Sequence, residues 1–286
     1  MHRLRSIVIL VLVSFVAACS ENSSTPSTTT TKASESPGEA LTSDEIDGVF
    51  EVDGGRGLYL RCSGTGSPTV VLEGGDEDDS SSYSFAEPAL AELTRTCVYD
   101  RANLGSSDPA PGPRRLDDFV GDLDALLDAA GVPPPYVLVG TSGGGFITAG
   151  YAEGHRRDIA GMVLIDTGRP LENPPAEIER FTAWDFPENI EQRDYLQIEN
   201  AAWDGRRPIG DIPVTIVTVK YSKEEIAQSP FAEERAAMRR NVERQQGWLV
   251  LSPRAEQIVV HTSHAVEEDD PQLVINLIRD VVKAAR

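Results

Sequence analysis

The chain is poor in positive charge, in cysteine and in histidine. Its 286 residues include 26 Lys and Arg against 46 Asp and Glu, for a formal net charge of −20. That balance argues against nucleic acid as a partner, and against binding to anionic lipid through a basic patch, since both need clustered cations. Four histidines and three cysteines leave few candidates for a general base, a metal ligand or a disulfide. The acidic run 76–79 is followed by serines at 80–82 but lacks the spacing of an EF-hand, so neither a metal nor another cofactor is expected. Residues 7–16 are almost wholly apolar, yet too short for a membrane-spanning helix, which takes about 20 residues. Internal repeats are absent.

What the N-terminus does contain is ordered like an export signal. His2, Arg3 and Arg5 precede the apolar run, and Val16-Ala17-Ala18-Cys19 supplies small residues before a cut. The last four resemble the lipobox of bacterial lipoproteins. That resemblance implies removal of residues 1–18, a lipid on Cys19 and a mature chain held at the outer face of the cell membrane. An ordinary signal peptide and a secreted chain are the alternative. Residues 19–43 are rich in Ser, Thr, Pro and Glu, with almost no large apolar side chain to bury, and read as a disordered tether. Residues 44–286 suit one large α/β domain.

The most informative stretch is Val137-Leu138-Val139-Gly140-Thr141-Ser142-Gly143-Gly144. A β-branched run ends at Gly140, and an amphipathic segment follows at 146–151. This is G-x-S-x-G in the setting of strand, sharp turn and helix, the pattern of a nucleophile elbow. The serine must stand on a strained turn, and Gly140 and Gly144 leave room for the neighbouring strand and helix. A phosphate loop does not fit: no Lys follows the glycines, and the spacing is not G-x-G-x-x-G. A glycine-rich turn without chemistry is the plainer alternative.

Around the elbow, alternation at 49–52 and 58–62 across a Gly-rich turn predicts a β-hairpin. Short apolar runs at 69–72, 96–99, 136–139, 161–165, 212–219 and 257–260 predict further strands. Helical spacing appears at 85–93, 116–130, 232–244 and 273–282, with Gly131 as a stop signal. Strands alternating with helices predict a mostly parallel sheet with helices on both faces. Residues 170–210, with several prolines, break the rhythm.

This arrangement resembles the α/β-hydrolase superfamily, and within it the exported serine-esterase-like lipoproteins of bacteria. Besides the elbow, the resemblance is carried by 68–75, by Tyr99-Asp100-Arg101 followed by Gly105, and by Ser263-His264 with Asp269-Asp270-Pro271 and an apolar helix. It implies an eight-stranded, mostly parallel sheet with a small helical cap at about 170–210, and chain order Ser, acid, His for the catalytic residues. Ser142 is then the nucleophile. His264, after the last strand, is the base; His261 lies one alternation earlier on the strand, and His155 is a solvated residue of the helix after the elbow. The strand at 212–219, where most members carry the acid, is followed by Glu224 and Glu225 but no Asp, so Asp166 at the end of the preceding strand is preferred over either. The oxyanion donors are Gly143 N–H and a second N–H at Gly75 or Asp76. Four carboxylates at 76–79 oppose an oxyanion unless they are paired or turned away. Asp100 and Arg101 are expected to pair with each other and fix their loop, or else to touch substrate. Cys62 and Cys97 fall on neighbouring strands of the superfamily's sheet, which makes a disulfide between them reasonable. Phe181, Trp184, Phe186, Tyr195 and Trp203 either line an apolar pocket or pack the cap onto the main domain.

The resulting expectation is a membrane-tethered serine hydrolase without a cofactor, acting on a small ester or lipid, with peptide hydrolysis available to the same mechanism. The rival is a non-catalytic binding lipoprotein on the same fold, since fold alone does not guarantee chemistry. Substrate identity and oligomeric state are not readable from the sequence.

Overall fold

Eight strands form one sheet in the order β1-β2-β4-β3-β5-β6-β7-β8. The computed structural model describes residues 45–286; the expected signal at 1–18, the lipid site Cys19 and the tether 19–43 lie outside them. The strands are β1 (Ile46–Val52), β2 (Arg56–Ser63), β3 (Thr69–Glu73), β4 (Thr96–Tyr99), β5 (Tyr136–Thr141), β6 (Ile159–Ile165), β7 (Val214–Val219) and β8 (Ala255–Val260). β1, β2 and β4 pair antiparallel, while β4, β3 and β5 to β8 run parallel. The helices are α1 (Glu87–Ala91), α2 (Leu116–Ala129), α3 (Gly143–Gly154), α4 (Ala176–Phe181), α5 (Tyr195–Gly205), α6 (Lys223–Gln228), α7 (Ala232–Arg239), α8 (Asn241–Gln245), α9 (Val266–Asp269) and α10 (Pro271–Ala284). No helix among the described residues is long and apolar enough to cross a membrane.

The central strands are apolar without alternation because both faces are covered. Val71, Leu138, Met162, Leu164 and Ile216 point into one core with residues of α2, α3 and α5. Val70, Val139, Val163, Ile165 and Val217 point into the other, with α1 and α10. Each such side chain, fully buried, contributes about 1.5–3 kcal/mol. Leu116, Phe119, Leu123, Leu126 and Leu127 form the buried stripe of α2, and Gly131, at φ +65°, ends it where the sequence has its stop signal. Cys62 and Cys97 sit opposite each other in the β2–β4 register and are joined by a disulfide.

Three expectations need correction. The helical pattern at 232–244 is not one helix: it breaks at Arg240 into α7 and α8, which aims Asn241 and Gln245 at the end of β6. His261 is not on the last strand, which ends at Val260, and is exposed. His155 is not freely solvated: it closes α3, stacks on Tyr151 at 4.1 Å and stands 3.2 Å from Asp124.

Candidate active site

β5 delivers its last residue directly into α3, and Ser142 makes the turn between them at φ +49°, ψ −122°. A Cβ on Gly140 would lie 2.6 Å from the Cα of Gly145, and one on Gly144 would run into the Gly74 carbonyl. Hydrogen therefore is the only side chain that lets strand, turn and helix close this tightly. The serine hydroxyl stands clear of the sheet, and the first backbone N–H groups of α3 lie beside it.

His264 arrives from the loop between β8 and α9. That loop is fixed by its acidic residues: Ser263 N donates to Asp269 Oδ2 at 2.6 Å, and Asp270 caps α10 by accepting from Leu273 N at 3.0 Å, with Pro271 in the first turn. His264 Nε2 lies 2.8 Å from Ser142 Oγ, and its Nδ1 lies 2.7 Å from Asp166 Oδ2. Glu224 and Glu225 do not reach the imidazole; Glu225 closes a capping box with Ser222 at the start of α6, and Glu224 is exposed.

Asp166 follows β6 in a left-handed conformation, φ +42°. Five donors converge on it. Oδ1 accepts from Val219 N at 3.1 Å, Asn241 Nδ2 at 2.9 Å and Gln245 Nε2 at 2.7 Å; Oδ2 accepts from Tyr221 Oη at 2.6 Å as well as from His264. Burial alone would raise this carboxyl, but the bonds from His264, Tyr221 and Val219 outweigh it and hold it below the usual range. Burial pulls the His264 imidazole down, and the Asp166 carboxylate more than reverses that, leaving it raised. Sequence reasoning missed Tyr221, Asn241 and Gln245. Asn241 and Gln245, one turn apart on a helix, carried a signal only once the break at Arg240 was known; Tyr221 stands just after β7, where related chains place their acid.

The loop after β3 lies against the start of α3, with Gly75 beside Ser142 and Asp76 beside Gly143. No acceptor among the described residues takes the N–H of Gly143 or of Asp76. Gly75, named as an alternative donor, is engaged elsewhere: its N–H goes to Asp78 Oδ2 at 3.1 Å. Of the acidic loop, Asp76 faces a cation, while Asp78 and Asp79 each accept a backbone N–H. Asp79 accepts from Ser81 N at 2.8 Å. Asp76 stands 2.6 Å from Arg193, and burial raises its carboxyl above the usual range; both reduce negative charge in the cavity beside Ser142. Glu77 N donates to Glu191 Oε1 at 2.8 Å.

Asp100 and Arg101 do not pair with each other, contrary to expectation. Asp100 accepts from Ser80 N and Ser106 N, both at 2.7 Å. Arg101 is buried and pairs with Glu73 at 2.5 Å and Glu191 at 2.7 Å, while also donating to the carbonyls of Gly74 at 2.9 Å and Gly75 at 2.6 Å. With the carbonyls drawn toward Arg101, the peptide that follows Gly75 turns its N–H away from it. Despite burial, Arg101 and Arg193 hold the Glu191 carboxyl down at about 2.

A cavity of roughly 130 Å³ opens beside Ser142 and His264. Its apolar wall comes from Phe146 and from Leu171, Ile178 and Leu196 of the segment expected as the cap. None of the five aromatics considered there lines it. Phe181 packs edge-on against Phe186 at 5.1 Å, Trp203 against Trp248 at 4.9 Å, Tyr195 lies under Arg193 at 5.2 Å, and Trp184 is 40% exposed.

Residues 68–202 match the family described by the alpha/beta hydrolase fold. The uncharacterized protein YqjL of Bacillus subtilis (strain 168) is 25% identical over 256 residues, which span 84% of this chain and 93% of that one. Among solved structures, a thermophilic esterase from Thermogutta terrifontis superposes with a TM-score of 0.61 at 20% identity, over 84% of this chain and 99% of its own. The enol-lactonase from Burkholderia xenovorans LB400 gives 0.62 at 16% identity, over 82% and 100%. At such identities the likeness to solved structures is one of fold. The sheet order, the elbow at the end of β5 and the match across the central strands give this chain the α/β-hydrolase fold.

Proposed function

We propose that the chain is a serine hydrolase that cleaves an ester or related acyl bond of a small molecule or lipid through an acyl-enzyme intermediate. Hydrolysis as the general class is supported by the superfamily. The narrower reading is carried by one observation, the unbroken line from Ser142 Oγ to His264 Nε2 and from His264 Nδ1 to Asp166 Oδ2, at 2.8 and 2.7 Å.

Ser142 Oγ attacks the substrate carbonyl as His264 Nε2 takes its proton. Negative charge developing on the carbonyl oxygen is met by the N–H groups of Gly143 and Asp76. His264 then returns the proton to the leaving alcohol, and the acyl group stays on Ser142. Water, deprotonated by the same imidazole, releases the acid and restores the serine. Asp166 keeps Nδ1 protonated and stabilises the imidazolium without accepting its proton. Peptide hydrolysis would follow the same steps with an amine leaving. Export and a lipid on Cys19 belong to the same reading; incorporation of labelled fatty acid into the chain, lost in Cys19→Ala, would support them.

The test is fluorophosphonate labelling of the full chain beside Ser142→Ala and His264→Ala, with p-nitrophenyl acetate turnover in parallel. Labelling of the wild type, absent from both variants, is expected. A folded wild type that neither labels nor turns over substrate would leave the non-catalytic binding protein as the better reading.

A further inference from the structure

One carboxylate in the pocket has no partner among the described residues. Glu199, on α5, lines the same cavity as Ser142 and His264. Its helix buries Tyr195, Ile198 and Ala202 against the main domain, which leaves Leu196 and Glu199, three residues apart on the neighbouring face, to line the cavity. The other charged groups around the cavity are committed. Asp166 holds five donors. Asp76 stands against Arg193. Glu234 accepts from Ser229 Oγ at 2.5 Å. Arg244 Nη2 donates to the carbonyls of Arg169 and Pro170 at 2.7 and 3.0 Å, and Arg169 pairs with Glu172. Among the described residues, Glu199 is the one carboxylate of this cavity with neither a hydrogen-bond donor nor a cation at ion-pair distance.

Glu199 is half-buried, and an unpaired carboxylate beside an aliphatic wall is costly because the wall strips part of its water and no donor replaces it. Burial, reinforced by the charge of Asp76 and only partly offset by Arg193 and Arg244, pushes the Glu199 carboxyl up to about 8. A cation bound at this point would favour the ionised carboxylate. Leu171, Ile178 and Leu196 offer the methylenes of a ligand an apolar track, and an ammonium group on the same ligand supplies the donors that Glu199 lacks.

We propose that Glu199 is a specificity-determining residue that recognises a protonated amino group on the substrate, so that the pocket selects amine-bearing acyl compounds. The chemistry of this selection rests on the serine-hydrolase reading; the binding does not. The full chain is titrated by calorimetry at pH 7 with n-butylammonium and with the near-isosteric neutral n-butanol, in two buffers of different ionisation enthalpy. The ammonium is expected to bind about tenfold tighter, the value of one charge-assisted hydrogen bond. Its binding ionises Glu199, so a proton is released to the buffer. Glu199→Gln removes both the preference and the proton release while leaving butanol binding unchanged, and Glu199→Asp restores part of each. Equal affinity for the two ligands, binding of neither, or a preference that survives in Glu199→Gln overturns the proposal. Fluorophosphonate labelling of the same preparations separates the two readings. Labelled protein without ammonium preference sinks only this inference. Unlabelled protein with that preference sinks the hydrolase reading and keeps this one.

Discussion

Five hydrogen bonds on one buried carboxylate are more than orientation of an imidazole requires, and their electrostatic effect is testable. Asp166 is held below its unfolded value of about 3.9, so its stabilising contribution is complete above that value and is lost as pH falls through the lower folded one. His264 is raised, and only its neutral form can accept the serine proton. The kcat/KM for a p-nitrophenyl ester should therefore rise with pH through a midpoint above about 6.5. Asp166→Asn should lower that midpoint and reduce kcat by about 10⁴-fold, as loss of the acid does in serine hydrolases. Tyr221→Phe isolates a positioning role. It deletes one bond to Oδ2, worth about 1.5–3 kcal/mol, leaves more carboxylate charge on the imidazole, and should lower kcat about tenfold while moving the midpoint upward. An unchanged pH profile in Tyr221→Phe would reduce the tyrosine to packing.

At the scale of elements, the oxyanion loop after β3 is tied to the segment before α5. Glu191 and Arg193 come from that segment; one accepts from Glu77 N and from Arg101, and the other stands against Asp76. Buried pairs of this kind cost a great deal when one partner is removed. Arg193→Met should lower stability by about 3–5 kcal/mol in urea unfolding. It should also reduce kcat more than it changes KM, because Asp76 would then lie beside the oxyanion position without its counter-ion. A loss of stability with kcat intact would separate the ion pair from catalysis. The split between α7 and α8 at Arg240 belongs to the same scale: a continuous helix over 232–244 would carry Asn241 and Gln245 on a different bearing from Asp166.

For the whole molecule, a disulfide joins β2 to β4 across 35 residues of chain. Replacing both Cys62 and Cys97 by Ala should lower stability by about 2–4 kcal/mol, read from the urea midpoint, with kcat unaffected because neither cysteine lies near Ser142. Two cores, one on each face of the sheet, hold the eight strands so that β5, β6 and β8 end on the same side, with Ser142, Asp166 and His264 beyond them. This is the carboxyl edge where open parallel sheets bind ligands.

The sheet and its main helices were legible because apolar period and turn residues are local properties of sequence, as Gly131 and the stripe of α2 illustrate. The elbow was legible for the same reason: Ser142 and its glycines lie within five positions of one another. Asp166 and His264 were nameable only through the order of strands in a resembling fold, since 98 residues separate them in sequence and no local pattern links them. What tertiary structure alone decided were relations between distant charges. Arg101 pairs with Glu73 and Glu191 rather than with Asp100, Asp76 faces Arg193, Asp78 takes the Gly75 N–H, and Glu199 is left without a partner. Sequence fixes which groups are charged; which of them meet, and which is left unpaired, depends on the packing of elements brought together from across the chain.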